Sequence, residues 1–166
     1  MKQPAIPYII DIEASGLGPG SYPIEIGLAL ERGQRYCSLI RPAPEWVKWD
    51  HRAEMVHRIS RDLLLHDGRP VAEVAHQLNR LLEGKVVFSD AWGVDNPWII
   101  ELFASAGVEQ RFSVSALEMI LNEKQIELWS ETRDRVARDL GLRRHRASND
   151  ALIIQETYLE TMGTRS

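Results

Sequence analysis

Asp11 and Glu13 close an apolar run, Tyr8-Ile9-Ile10-Asp11-Ile12-Glu13, that otherwise has the composition of a buried strand; Gly16, Gly18 and Gly20 follow at once. Residues i and i+2 of a strand face the same way, so both carboxylates leave the sheet side by side. Like charges that close repel and raise each other's pKa. A divalent cation relieves the repulsion, and hard oxygen ligands suit Mg²⁺ or Mn²⁺. With 9 Asp and 15 Glu in 166 residues, chance supplies roughly 0.8 Asp-x-Glu pairs, so the spacing alone decides little. Context decides more, because a charged pair is expensive in a buried strand. The competing reading is a frayed strand end with solvated acids.

A metal site at this position needs acids from other elements. Asp95 follows the apolar segment Val86-Val87-Phe88 and leads into a helix; open α/β sheets place their sites just beyond the carboxyl ends of strands. Asp90 competes for the same role, its alternative being an Asx turn beside Gly93. Asp150 borders the apolar pair Ile153 and Ile154 on the last helix, which turns it toward the sheet. An acid in a first helical turn also complements the macrodipole. His145 stands five residues before Asp150 in Arg143-Arg144-His145-Arg146, and histidine titrates close enough to neutrality to serve as a general base. His57 and Asp62 share that spacing, so spacing cannot choose between the two histidines. We read His145 as catalytic and His57 as a loop residue near the site.

The elements that must position these groups follow from apolar periodicity. Residues 5–13 form a first strand, and 24–30 a second with Ile24, Ile26, Leu28 and Leu30 on one face. Gly33 marks a hairpin into a third strand at 35–40, which completes an antiparallel meander. Helices are predicted at 71–82, 97–106, 115–121, 125–140 and 148–162, with short strands at 85–88 and 112–114. Pro97 is placed in the first turn of its helix, Ser60 caps a further short helix, and Ser148 caps the last one. The fold class is α/β, a mixed sheet covered by helices.

Residues 1–166 have the size and the 44% apolar content of one domain. The N-terminus lacks the basic-then-apolar pattern of a secretory signal, and no apolar stretch approaches the ~20 residues needed to span a bilayer. The lone Cys37 fits a reducing compartment. The expected setting is cytoplasmic, with no membrane partner. A formal charge of −4 argues against coating long nucleic acid through a global positive field. It leaves room for a local grip on phosphates, since 16 of the 20 basic residues are Arg and Arg binds phosphate bidentately.

Taken in order, Asp11-Ile12-Glu13-Ala14-Ser15-Gly16-Leu17, then Asp95, then His145-Arg146-Ala147-Ser148-Asn149-Asp150-Ala151 resemble the three motifs of the DEDDh subgroup of DnaQ-like 3′–5′ exonucleases. The resemblance includes Ile24-Glu25-Ile26-Gly27 and Val56-His57-Arg58-Ile59-Ser60. Two departures stand out. The family commonly has Thr-Thr-Gly where this chain has Ala14-Ser15-Gly16, and its second motif carries an Asn and a Phe that Asp90–Asp95 lacks.

The resemblance implies an RNase H-like fold and two Mg²⁺ or Mn²⁺ ions held by Asp11, Glu13, Asp95 and Asp150. It implies His145 as the base that deprotonates the attacking water. The substrates would be 3′ ends of single-stranded DNA or RNA, shortened to nucleoside 5′-monophosphates. Ala14, Ser15, Gly16, Leu17, His57 and Arg146 would bind the substrate, and homodimers are common in the family. Two other readings are weighed. An aspartate-nucleophile phosphatase expects a second Asp where Glu13 stands and a well-placed Lys, whereas the only Lys are at 2, 48, 85 and 124. A nucleic-acid-binding module without turnover expects a missing motif acid, and none is missing.

Overall fold

The computed structural model describes residues 5–163. Its centre is β1 (Ile9–Ala14), flanked in a five-stranded sheet of order β3-β2-β1-β4-β5. β2 (Pro23–Ala29) and β3 (Arg35–Leu39) follow through short turns and pair antiparallel, as the meander requires. β4 (Val86–Ser89) lies parallel to β1, and β5 (Ser113–Ala116) parallel to β4. Parallel neighbours need long crossovers. The first is made by α1 (His51–His57), α2 (Arg61–Asp67) and α3 (Val71–Leu82), the second by α4 (Trp92–Ala106). α5 (Glu123–Leu140) and α6 (Ala147–Gly163) close the chain.

Both faces of the sheet are covered, which is why β2 is buried at every position. Ile10, Ile12, Ile24, Ile26 and Leu28 enter one core with Val74, Leu78, Ile99 and Leu102 of α3 and α4. Ile9 and Ala29 enter the other with Ala151, Ile154 and Tyr158 of α6. Asp11 and Glu13 have the parity of Ile9, so strand alternation turns them to the α6 face. Gly27 pairs with Asp11 across the ladder and lets α6 sit down there, since a Cβ on it would collide with the backbone of Ala147 and Ser148. Among the described residues, no helix is long and apolar enough to cross a membrane.

Several boundaries differ from the sequence expectation. α4 begins at Trp92, because Val94 and Asp95 already donate to the Ala91 carbonyl, so Pro97 lies inside the helix. Residues 113–116 stay extended because they pair with β4; the helix expected at 115–121 is reduced to a 3₁₀ turn, Leu117–Ile120. α5 starts two residues early on a capping box made by Asn122 and Gln125. α1 was not expected. Asp50 caps it by accepting from the Arg52 amide, which makes His57 its last residue rather than a loop residue. Ser148 does not cap α6 but lies within its first turn, where its hydroxyl accepts from Arg35. Ser60 caps α2, as expected.

Candidate active site

β1 delivers Asp11 and Glu13 to the carboxyl edge of the sheet, where the register shifts between Glu13 and Ala14. Such a bulge bends the strand and re-aims its side chains. Asp11 Oδ2 is buried and has no hydrogen-bond partner among the described residues. Burial is the main cause holding its carboxyl well above the usual range, and the charges of Asp95, Asp150, Glu13 and Asp90 add to it in that order. Glu13 is pushed up to about 8, first by burial and then by Asp150, Glu25 and Asp95.

Asp95 comes from the first turn of α4 and is buried. Ser89, the last residue of β4, donates its hydroxyl to Asp95 Oδ2 at 2.6 Å. Burial still carries the Asp95 carboxyl to about 7, against that hydrogen bond and with help from Asp90. Asp90 sits on the loop before α4 and is raised by burial against the pull of Arg133. Both acids of the second motif therefore face the cluster, with Asp95 the stronger perturber of Asp11.

Asp150 arrives from α6, whose start is fixed from across the sheet. Glu25, fully buried in β2, accepts from Arg146 Nε and Nη2 at 2.7–3.1 Å and from the Ala147 amide at 2.7 Å. That carboxylate does the work of a cap: it satisfies an N–H at the helix start. Arg35 of β3 adds bonds to Ser148 and Asn149. Asp150 accepts from Arg144 Nε at 3.1 Å and from the His145 amide at 2.9 Å, yet burial outweighs both and its carboxyl is raised.

His145 has φ +61°, left-handed backbone for a residue other than glycine. Conformations of that kind cluster at functional sites, and here the hydrogen bond from the His145 amide to Asp150 holds it. Its ring is exposed, and ligand atoms of Glu13, His145 and Asp150 lie within 4.8 Å of one another.

The expected substrate-binding residues are spread around this cluster. Leu17 is 75% exposed at the tip of the β1–β2 turn. Ala14, Ser15 and Gly16 are buried beneath it, and the Ser15 hydroxyl is turned inward to accept from the Tyr22 amide. His57 is 2% exposed; its Nδ1 accepts from the Ile59 amide, which leaves the proton on Nε2, and Nε2 has no partner among the described residues. Burial holds that imidazole below its ordinary pKa. Arg146 pairs with Glu25, and its side chain stays 38% exposed. Trp46 stacks on Tyr22 and donates to Glu101, a packing role.

Glu25 is not among the site residues expected from the sequence. The signal available was an acid inside the apolar run Ile24-Glu25-Ile26-Gly27. Its partner lies 121 residues away, beyond any local pattern.

Burial, and an excess of acids over the cations that touch them, favour the protonated carboxyls. A hard divalent ion can replace those protons, and the orphaned Asp11 oxygen within an oxygen-rich cluster fits one. The donor set Glu13, His145 and Asp150 can itself hold an ion.

No family model and no curated protein matches this sequence. Solved structures do match its fold. Exonuclease I from Methylocaldum szegediense aligns with TM-score 0.71 and 13% identity over 95% of this chain and 40% of that one. E. coli exonuclease I in complex with a dA16 oligonucleotide aligns with TM-score 0.71 and 12% identity over 96% of this chain and 41% of that one. The zinc-ion-bound form of the E. coli ExoI–ssDNA complex aligns with TM-score 0.66 and 13% identity over 95% and 41%. The chain spans about two fifths of the length of the structures it matches. It has the fold of the part of exonuclease I that it matches, the RNase H-like mixed sheet expected from the sequence.

Proposed function

We propose that this chain is a metal-dependent 3′–5′ exonuclease that releases nucleoside 5′-monophosphates from single-stranded DNA or RNA ends. The observation that carries the proposal is the buried, unpartnered Asp11 oxygen inside a ring of acids that repel one another. Asp11, Glu13, Asp95 and Asp150 would hold two Mg²⁺ or Mn²⁺ ions. Such ions, when bound, supply Lewis-acid stabilisation of the charge that builds on the scissile phosphate.

The chain's own groups do the rest. His145, exposed above Glu13 and Asp150, takes the proton of the attacking water at its ring nitrogen. Asp150 holds the His145 amide, and Glu25 with Arg146 holds the start of α6, so the base keeps its place. Leu17 packs on the terminal base, with the backbone of 14–16 and His57 around the terminal sugar. The neighbours' complexes with single-stranded oligonucleotides support the substrate class.

The test uses 5′-end-labelled single-stranded DNA and RNA of equal length, incubated with Mn²⁺ or Mg²⁺. A ladder shortening from the 3′ end, with 5′-monophosphates as the product, supports the proposal. Substrates left intact under every metal condition refute it.

A further inference from the structure

Resting on the nuclease reading above, we propose that a cleft beside the acidic cluster receives the nucleobase on the 5′ side of the scissile phosphate. The cleft has a volume of about 340 Å³, within the roughly 300–1,000 Å³ of small-molecule pockets. It lies between the loop carrying Asp90, the 3₁₀ turn Leu117–Ile120 and the first half of α5. Ile126, Trp129 and Arg133 recur at helical spacing along one face of α5. With Leu117 and Leu121 they make an apolar slot, and Asp90 and Arg133 give it a polar edge.

Three observations point to a base. Trp129 offers an aromatic wall, and base–aromatic stacking tolerates any sequence. Arg133 Nε is buried without an acceptor among the described residues, a donor in want of a partner. Asp90 and Glu118 place two carboxyl groups beside that one guanidinium, so the slot suits a neutral ring better than a phosphate.

With the terminal base on Leu17, as the nuclease reading has it, the sheet order assigns the nucleotide. Leu17 lies on the turn between β1 and β2, whereas the cleft lies past β4, toward β5, on the other side of Asp11 and Glu13. A strand whose last phosphodiester lies over β1 has its terminal nucleoside toward Leu17 and the preceding one toward Trp129.

The experiment compares two substrates of wild type, Trp129→Leu and Arg133→Gln. One is the p-nitrophenyl ester of thymidine 5′-monophosphate, which has the terminal nucleotide and the scissile phosphate but no second base. The other is a thymidine dinucleotide. The ratio of kcat/KM, dinucleotide over ester, is expected to fall on the order of 10-fold in each variant. Anisotropy with a fluorescent dinucleotide in chelator should show the same weakening of binding. An unchanged ratio, or equal loss on both substrates, overturns the proposal. If the wild type cuts neither substrate, the nuclease reading fails. Dinucleotide binding then decides the cleft, supported if the variants weaken it and overturned if they do not.

Discussion

Raising pH should destabilise the metal-free protein, over a window set by its carboxylates. Glu13 titrates near 8 in the folded chain against an ordinary 4.5, and Asp95 near 7 against 3.8. Between those values the folded state keeps protons that the unfolded chain has already released, so stability falls as pH rises. His57, held below its ordinary 6.5 by burial, works in the opposite direction only below that pH, which makes pH 6.5 to 8.5 the clean interval. From 6.5 to its own titration Glu13 loses about 2 kcal/mol at ~1.36 kcal/mol per pH unit, roughly halved because its partial exposure lets solvent screen it. Asp95, buried, adds about 0.7 kcal/mol.

The net loss of about 1.5–2 kcal/mol corresponds to a fall in Tm of roughly 3–8 °C for a chain of this size. Asp11 and Asp150, also raised, act in the same direction over the pH range in which they titrate. The assay is thermal unfolding by circular dichroism in chelator, with Glu13→Gln and Asp95→Asn as controls and Mn²⁺ added back at each pH. The fall should shrink in both variants, and Mn²⁺ should restore more stability at pH 8.5 than at 6.5. A Tm that is flat or rises across the interval, or that falls equally in the variants, refutes the electrostatic account of the cluster.

Three further outcomes are expected. Glu25→Gln removes the charge that pairs Arg146 while leaving one carbonyl oxygen for the Ala147 amide, so urea unfolding should show a loss of about 2–3 kcal/mol, partly recovered in the double variant Glu25→Gln/Arg146→Met. Gly27→Ala drives a methyl group into the first turn of α6 and should cost about 3 kcal/mol, read by the same unfolding curve, and lower cleavage by displacing Asp150. His145→Ala should reduce kcat by about 10²- to 10⁴-fold while leaving Tm within about 1 °C, because the ring is exposed; initial rates and melting curves on one preparation check both.

Much of the fold was legible because its signals are local. The meander announced itself through short turns between apolar runs, and α3 through apolar residues at helical spacing closed by Gly84, its limits matching 71–82. Asp11, Glu13, Asp95 and Asp150 were legible as acids where apolar residues or strand ends were expected, and the fold brings their charges within reach of one another. What escaped depends on distant partners. Residues 115 and 116 stay extended only because β4 pairs with them, and nothing nearby in sequence says so. Glu25 does for α6 what Ser148 was expected to do, because the sheet places its carboxylate at the helix start. α1 is seven residues long, too short for periodicity to distinguish, and its capping Asp50 follows a Trp- and Pro-rich stretch that resembles a loop.

Crystals of the protein soaked in manganese and measured at the manganese absorption edge would locate the ions among the four acids. Anomalous density enclosed by Asp11, Glu13, Asp95 and Asp150, and lost in Asp11→Asn, is the predicted result. Density elsewhere, or none at an ion concentration that saturates catalysis, would contradict it.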